Sequence, residues 1–126
     1  MAKLFQPKIK TDPYMNKDVM VIDLKGHLGH ESQRGQLRED YEKLARGGEY
    51  KHLIIKFEKD TNIDTIGGSI LIDILNLVED NGGRLCFVGV TPAYKEEFER
   101  MSLTDYIDIF VSEDEALENL KKGDLG

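Results

Sequence analysis

The chain has one cysteine, no tryptophan and three prolines in 126 residues. A single thiol closes no intramolecular disulfide and builds no cysteine-based metal cluster. Cys86 stands in the apolar run Leu85-Cys86-Phe87-Val88, where a buried, inert thiol is expected. No apolar run approaches the roughly 20 residues that a bilayer span requires. Met1–Pro7 lacks the long apolar centre of a signal peptide, so the expected location is cytoplasmic. Positive charge is in the minority, with 17 Lys and Arg against 24 Asp and Glu and a formal net charge of −7. Lys121-Lys122 is the only adjacent basic pair. Nucleic acid and membrane are therefore not expected as partners, because phosphate binding needs an excess of Lys and Arg on some face.

Catalytic signatures are missing as well. The chain has no Gly-rich loop followed by Lys-Ser/Thr, no Gly-x-Ser-x-Gly elbow and no His-Glu-x-x-His. His27, His30 and Glu31 are close in sequence, but the third histidine, His52, is far along the chain. No standard zinc arrangement results, and both loop histidines read as solvated residues. The expectation is no catalytic residue, no metal ligand and no cofactor.

What is present is an alternation of strands and helices. Residues 1–16, with Pro7 and Pro13, suggest an extended segment or edge strand. Val19–Leu24 reads as a β-branched strand ending at Gly26. From about Glu31 to Arg46, Leu37, Tyr41, Leu44 and Ala45 recur at helical spacing before Gly47-Gly48. Leu53–Phe57 is a second strand, Ile66–Asn81 a second helix, and Leu85–Val90 a nearly all-apolar third strand. Thr91-Pro92 opens a helix with the stripe Tyr94, Phe98 and Met101. Ile107–Phe110 is a short strand, and Ser112-Glu113-Asp114-Glu115 reads as a capping box ahead of Leu117 and Leu120. This order implies an α/β fold with partly parallel strands. One domain spans 1–126, with a core at about 17–120 and a flexible tail at 121–126.

The most informative stretch is Ile63-Asp64-Thr65-Ile66-Gly67-Gly68-Ser69, at a strand-to-helix corner. The first amides of a helix favour negative charge and can hold a phosphate. Thr65 is thus a candidate phosphorylation site, gaining about −1.5 to −2 charges. The plainer alternative is that Asp64 or Thr65 only caps the helix. The helix itself carries more apolar surface than one sheet face covers. Leu71, Ile74, Leu75 and Val78 form the core stripe, Ile66, Ile70 and Leu77 an adjoining flank, and Ile72 lies on the other side. Neighbouring helices or a partner protein must cover the excess.

The element order, the Asp64-Thr65 corner and the later Gly82-Gly83-Arg84-Leu85 … Thr91-Pro92-Ala93 … Phe98 … Leu103 pattern resemble the STAS domain family over about residues 17–120. That family includes bacterial anti-sigma-factor antagonists and stressosome proteins. The resemblance implies a mixed four- to five-stranded sheet with about four helices packed mainly on one side. It implies phosphorylation at Thr65, with Gly67 matching the glycine of the family's corner motif. It also implies a partner-binding face made of Gly26, His27, Leu28, Gly29, Asp64, Thr65, Ile66, Gly67, Ser69, Ile70 and Asp73.

The implied partner is an anti-sigma factor or a Ser/Thr kinase-like protein, and a homodimer is left open. Three positions differ from the usual pattern: Gly29 and Lys56 replace family acids or amides, and Ile66 replaces the second corner hydroxyl. A constitutive scaffold or ligand-sensing STAS module is the alternative function.

Overall fold

Val19, Val21, Ile54, Cys86 and Val88 alternate along their strands with Met20, Ile22, Leu53, Ile55, Leu85 and Phe87, and both sets are buried. Strands apolar on both faces need a layer on each side, the arrangement that crossover helices supply to parallel strands. The computed structural model describes residues 5–12, 17–45 and 51–125. The main sheet contains β1 (Phe5–Asp12), β2 (Lys17–Leu24), β4 (Leu53–Phe57), β6 (Leu85–Val88) and β7 (Asp108–Phe110), in the order β1-β2-β4-β6-β7. β1 is antiparallel to β2, and every other pair is parallel. Within the expected N-terminal extended segment, β1 is therefore an edge strand. Two short strands, β3 (His27–Leu28) and β5 (Asn62–Ile63), form a separate parallel ladder.

Helices α1 (Glu31–Ala45), α2 (Thr65–Asp80) and α3 (Pro92–Arg100) cover one face. Their residues Leu37, Tyr41, Ile70, Leu71, Ile74, Val78 and Phe98 share a core with Met20, Ile22, Ile55 and Phe87. Helix α4 (Glu113–Leu125) covers the other face with Ala116, Leu117 and Leu120. Three helices against one gives the layering that the family resemblance implies.

Local chemistry explains the boundaries. The Thr91 hydroxyl accepts the Tyr94 amide at 3.4 Å, and Pro92 follows as the first helical residue. The Ser112 hydroxyl accepts the Glu115 amide at 3.2 Å at the head of α4. Helix α4 runs on to Leu125, past the expected end near Leu120. Lys121 and Lys122 are good helix formers, and a single Gly123 costs only about 1 kcal/mol. The Gly47-Gly48 stop expected for α1, the Leu44 side chain and Pro13 lie outside the described residues.

Burial pushes the Cys86 thiol up to about 12, so it is protonated and inert at neutral pH. Lys56 leaves the sheet on the α4 side, where its Nζ lies 3.2 Å from Glu113 Oε1. This substitution for the family residue therefore serves the attachment of α4. It lies on the face opposite α2.

Candidate functional site

The chain leaves β2 and β4 at the same end of the sheet, and the segments that follow them meet. Gly26 takes φ +83°, a left-handed conformation that glycine adopts without strain, and turns the chain into β3. Its carbonyl then accepts the Asn62 amide at 2.9 Å, and the Leu28 carbonyl accepts the Asp64 amide at 3.3 Å. The ladder pairs His27 with Asn62 and Leu28 with Ile63. The loop 26–29 and the start of α2 are thereby one continuous surface, although 37 residues of chain separate His27 from Asp64.

Asp64 is the N-cap of α2. Its extended backbone turns into the helix while Oδ1 accepts the Gly67 amide at 3.0 Å. The other oxygen, Oδ2, accepts a hydrogen bond from His27 Nε2 at 3.0 Å. The Gly67 amide, chiefly, holds the Asp64 carboxyl below the usual range; partial desolvation opposes it and the His27 contact adds to it. A group with a depressed folded-state pKa contributes stability above its unfolded value and loses it as pH falls through the folded value. Acidification below about pH 4 is therefore expected to uncap α2. Faster exchange of the Gly67 amide, followed by hydrogen exchange, is the measure of that loss.

With Asp64 as the cap, Thr65 is left as an exposed first helical residue. Its hydroxyl makes no hydrogen bond among the described residues. The capping alternative thus falls to Asp64 alone. Ile66 beside it is 39% exposed, and Ile72, one turn and a half further on, is 37% exposed.

An open groove of about 420 Å³ is lined by Thr65 itself with Ile63, Asp64, Gly68, Tyr94, Glu97, Phe98 and Met101. Met101, expected on one helical stripe with Tyr94 and Phe98, lines this groove with them; it is the C-cap of α3, which ends at Arg100, and is 39% exposed. A Cβ on Gly68 would come within 3.0 Å of the Met101 Cε, so the small residue leaves room for this flexible side chain.

The geometry corrects several of the expected partner contacts. Leu28 and Ile70 are buried in the core, at 0% and 1% exposure, and their side chains cannot meet a partner. Leu28 points inward because the β3–β5 ladder sets its register, while Ile70 lies against α1. Gly67 is buried too. A Cβ there would sit 2.1 Å from the Leu28 carbonyl oxygen and 2.9 Å from Ile63 Cγ2, so it is a close-approach residue.

Asp73 is half-exposed and shares a contact with Ser69: Arg34 Nη1 donates to its Oδ2 and Arg34 Nη2 to Ser69 Oγ at 3.0 Å. Glu31, first, and Asp73 together hold the Arg34 guanidinium firmly in its charged form. His27 is no plain solvated loop residue, given its bond to Asp64. Gly26, His27, Gly29, Asp64, Thr65, Ile66, Ser69 and Asp73 remain together on the accessible surface or at its edge. The contributions of Met101 and Arg34 were missed, since no local pattern links α3 or α1 to this corner.

Gly67→Ala is expected to destabilise the protein by about 1–3 kcal/mol, because the backbone of β3 or α2 must move. Gly35→Ala supplies the contrast. Nothing lies within 4 Å of a Cβ at this exposed helical position, so that change is expected to stabilise by about 0.5–1 kcal/mol. Urea denaturation of the two variants beside the parent chain checks both signs.

Two groups of solved structures share the architecture. An anti-sigma factor antagonist, SpoIIAA in its unphosphorylated form, is 19% identical, with a TM-score of 0.67 over 93% of this chain and 97% of that one. The phosphorylated form of SpoIIAA, a Bacillus cell fate determinant, is 21% identical, with a TM-score of 0.65 over 91% and 97%. The solution structure of the protein TM1081 is 19% identical, with a TM-score of 0.75 over 96% and 91%. At these identities the likeness establishes the fold. The sequence itself matches the STAS domain model over residues 10–116, most of its length, and the chain therefore belongs to the STAS domain family.

Proposed function

We propose that the chain is an anti-sigma-factor-antagonist-like signalling protein that works by binding a protein partner, an anti-sigma factor or a Ser/Thr kinase-like protein, and that phosphorylation at Thr65 switches this binding. The observation that carries the reading is the exposed Thr65 side chain at the first turn of α2, flanked by exposed apolar Ile66 and Met101. Negative charge is favourable to a helix at that position. The same charge is unfavourable to an apolar contact made across it, since it must be desolvated there. One modification can thus leave the fold intact while releasing a partner. The contact face is read as His27, Gly29, Asp64, Thr65, Ile66 and Ser69, with Ile72 and Met101 as apolar flanks. No helix among the described residues is long and apolar enough to cross a membrane, and the protein is read as cytoplasmic.

The test is affinity capture from native lysate with the unmodified chain and a Thr65→Glu variant side by side. A partner retained by the first and lost by the second supports the switch; identical captures count against it. The groove beside Thr65 favours one second reading, a ligand-sensing STAS module. A small molecule that raises the melting temperature of the unmodified chain, and no longer does so after Gly68→Leu, is the outcome that reading requires.

A further inference from the structure

We propose that His27 is a proton-dependent latch on Asp64, admitted by the glycine at position 29, and that it sets the net charge presented beside Thr65. The latch depends on an absent side chain. A Cβ on Gly29 would lie 2.3 Å from Asp64 Oδ2 and 2.3 Å from His27 Nε2, inside the contact between them. Any other residue at 29 pushes the imidazole and the carboxylate apart.

The loop is held ready for the contact by α1. Gln33 Oε1 accepts the amides of Gly29 and His30 at 2.9 and 2.8 Å, and Gln33 Nε2 donates to the His27 carbonyl at 3.1 Å. The imidazole itself is accessible to protons, since the His27 and Asp64 side chains are 54% and 45% exposed.

Other charged groups surround the pair, and several are bonded elsewhere: on α3, Glu97, which lines the groove with Asp64 and Thr65, accepts from Arg100 at 2.8 Å. In the first turn of α1, Arg34 is bonded to Glu31, Ser69 and Asp73, and the His30 ring to Ser32. Lys25 precedes the loop, and Glu58, Lys59 and Asp60 lie in the segment that bonds back to Leu24 and Gly26. Among the described residues, Asp64 is the one side chain that bonds the His27 ring.

Between roughly pH 5 and 8 an imidazole passes from cation to neutral donor. With His27 protonated, the His27–Asp64 pair has no net charge. With His27 neutral, the carboxylate is uncompensated immediately before Thr65. A phosphoryl group on Thr65 would then meet a like charge on its chain neighbour, whereas the protonated latch offers it a counter-charge. The bearing on partner choice rests on the proposed role of Thr65; the latch itself does not.

The experiment is a pH titration of the full chain, followed through its backbone amides by ¹H–¹⁵N NMR between roughly pH 5 and 8. In the parent chain the Thr65 and Gly67 amides are expected to shift in a single step together with the His27 ring. His27→Gln keeps a hydrogen-bond donor but has no titrating proton, and the step is expected to vanish. Gly29→Ala is expected to abolish it too, with some loss of stability because its Cβ also crowds the Asp64 carboxyl that caps α2. His30→Gln is expected to preserve it. No step in the parent chain, or a step that survives His27→Gln or Gly29→Ala, overturns the latch. If the step behaves as expected while Thr65→Glu retains its partner, the latch stands and the phosphorylation reading falls. If the step is missing while partner binding still depends on Thr65, the latch falls and the phosphorylation reading stands.

Discussion

Thr65→Glu is expected to weaken partner binding at least tenfold, about 1.4 kcal/mol, while leaving the fold as stable as before or slightly more so. The two halves of that expectation have separate causes. For the fold, the side chain is exposed and caps nothing, since Asp64 performs that role, and so the substitution breaks no internal bond. An acid in the first helical turn even gains about 0.3–1 kcal/mol from the helix dipole. For the complex, the carboxylate enters a contact bordered by Ile66 and Met101, where it must give up water without a designated partner.

A Thr65→Val control keeps the shape and removes the hydroxyl without adding charge. It should bind as the parent chain does. Calorimetric titration of the captured partner against all three proteins decides the matter. Equal affinities for parent and Thr65→Glu would end the switch interpretation.

Phe87→Ala is expected to destabilise the fold by about 3–5 kcal/mol, more than either glycine substitution. Phe87 is 0% exposed on β6, between β4 and β7. Its ring meets Phe57 edge-on at a centroid distance of 5.0 Å and Phe98 at 5.4 Å. Removing it opens a cavity where strand β4 and helix α3 converge, and close-packed surroundings collapse only in part. Phe98 also lines the groove beside Thr65, so the loss should be felt at the corner as well as in the melting curve. Chemical denaturation measures the first effect. A midpoint unchanged from the parent chain would show that this ring cluster does not hold α3 in place.

These two residues were legible in the sequence to different degrees. Phe87 sits in an apolar run that could only be a buried strand, and its burial follows from that pattern. Thr65 was marked out by a polar corner between a strand and a helix, with family resemblance adding the role proposed for it. Its exposure could not be read there, because Asp64 and Thr65 are both acceptable caps on paper.

The sequence alone determined the alternation of strands and helices, the caps at Thr91 and Ser112, and the position of the corner. Each of these is encoded by residues within a turn or two of one another, where periodicity and local hydrogen bonding decide the outcome. Tertiary structure decided that Leu28 and Ile70 face inward, that Lys56 serves α4, that Met101 borders the groove, and that His27 reaches Asp64. Those facts come from the meeting of two loops and four helices distant in sequence. Contact across such separations is fixed by sheet register and packing, which no local pattern carries.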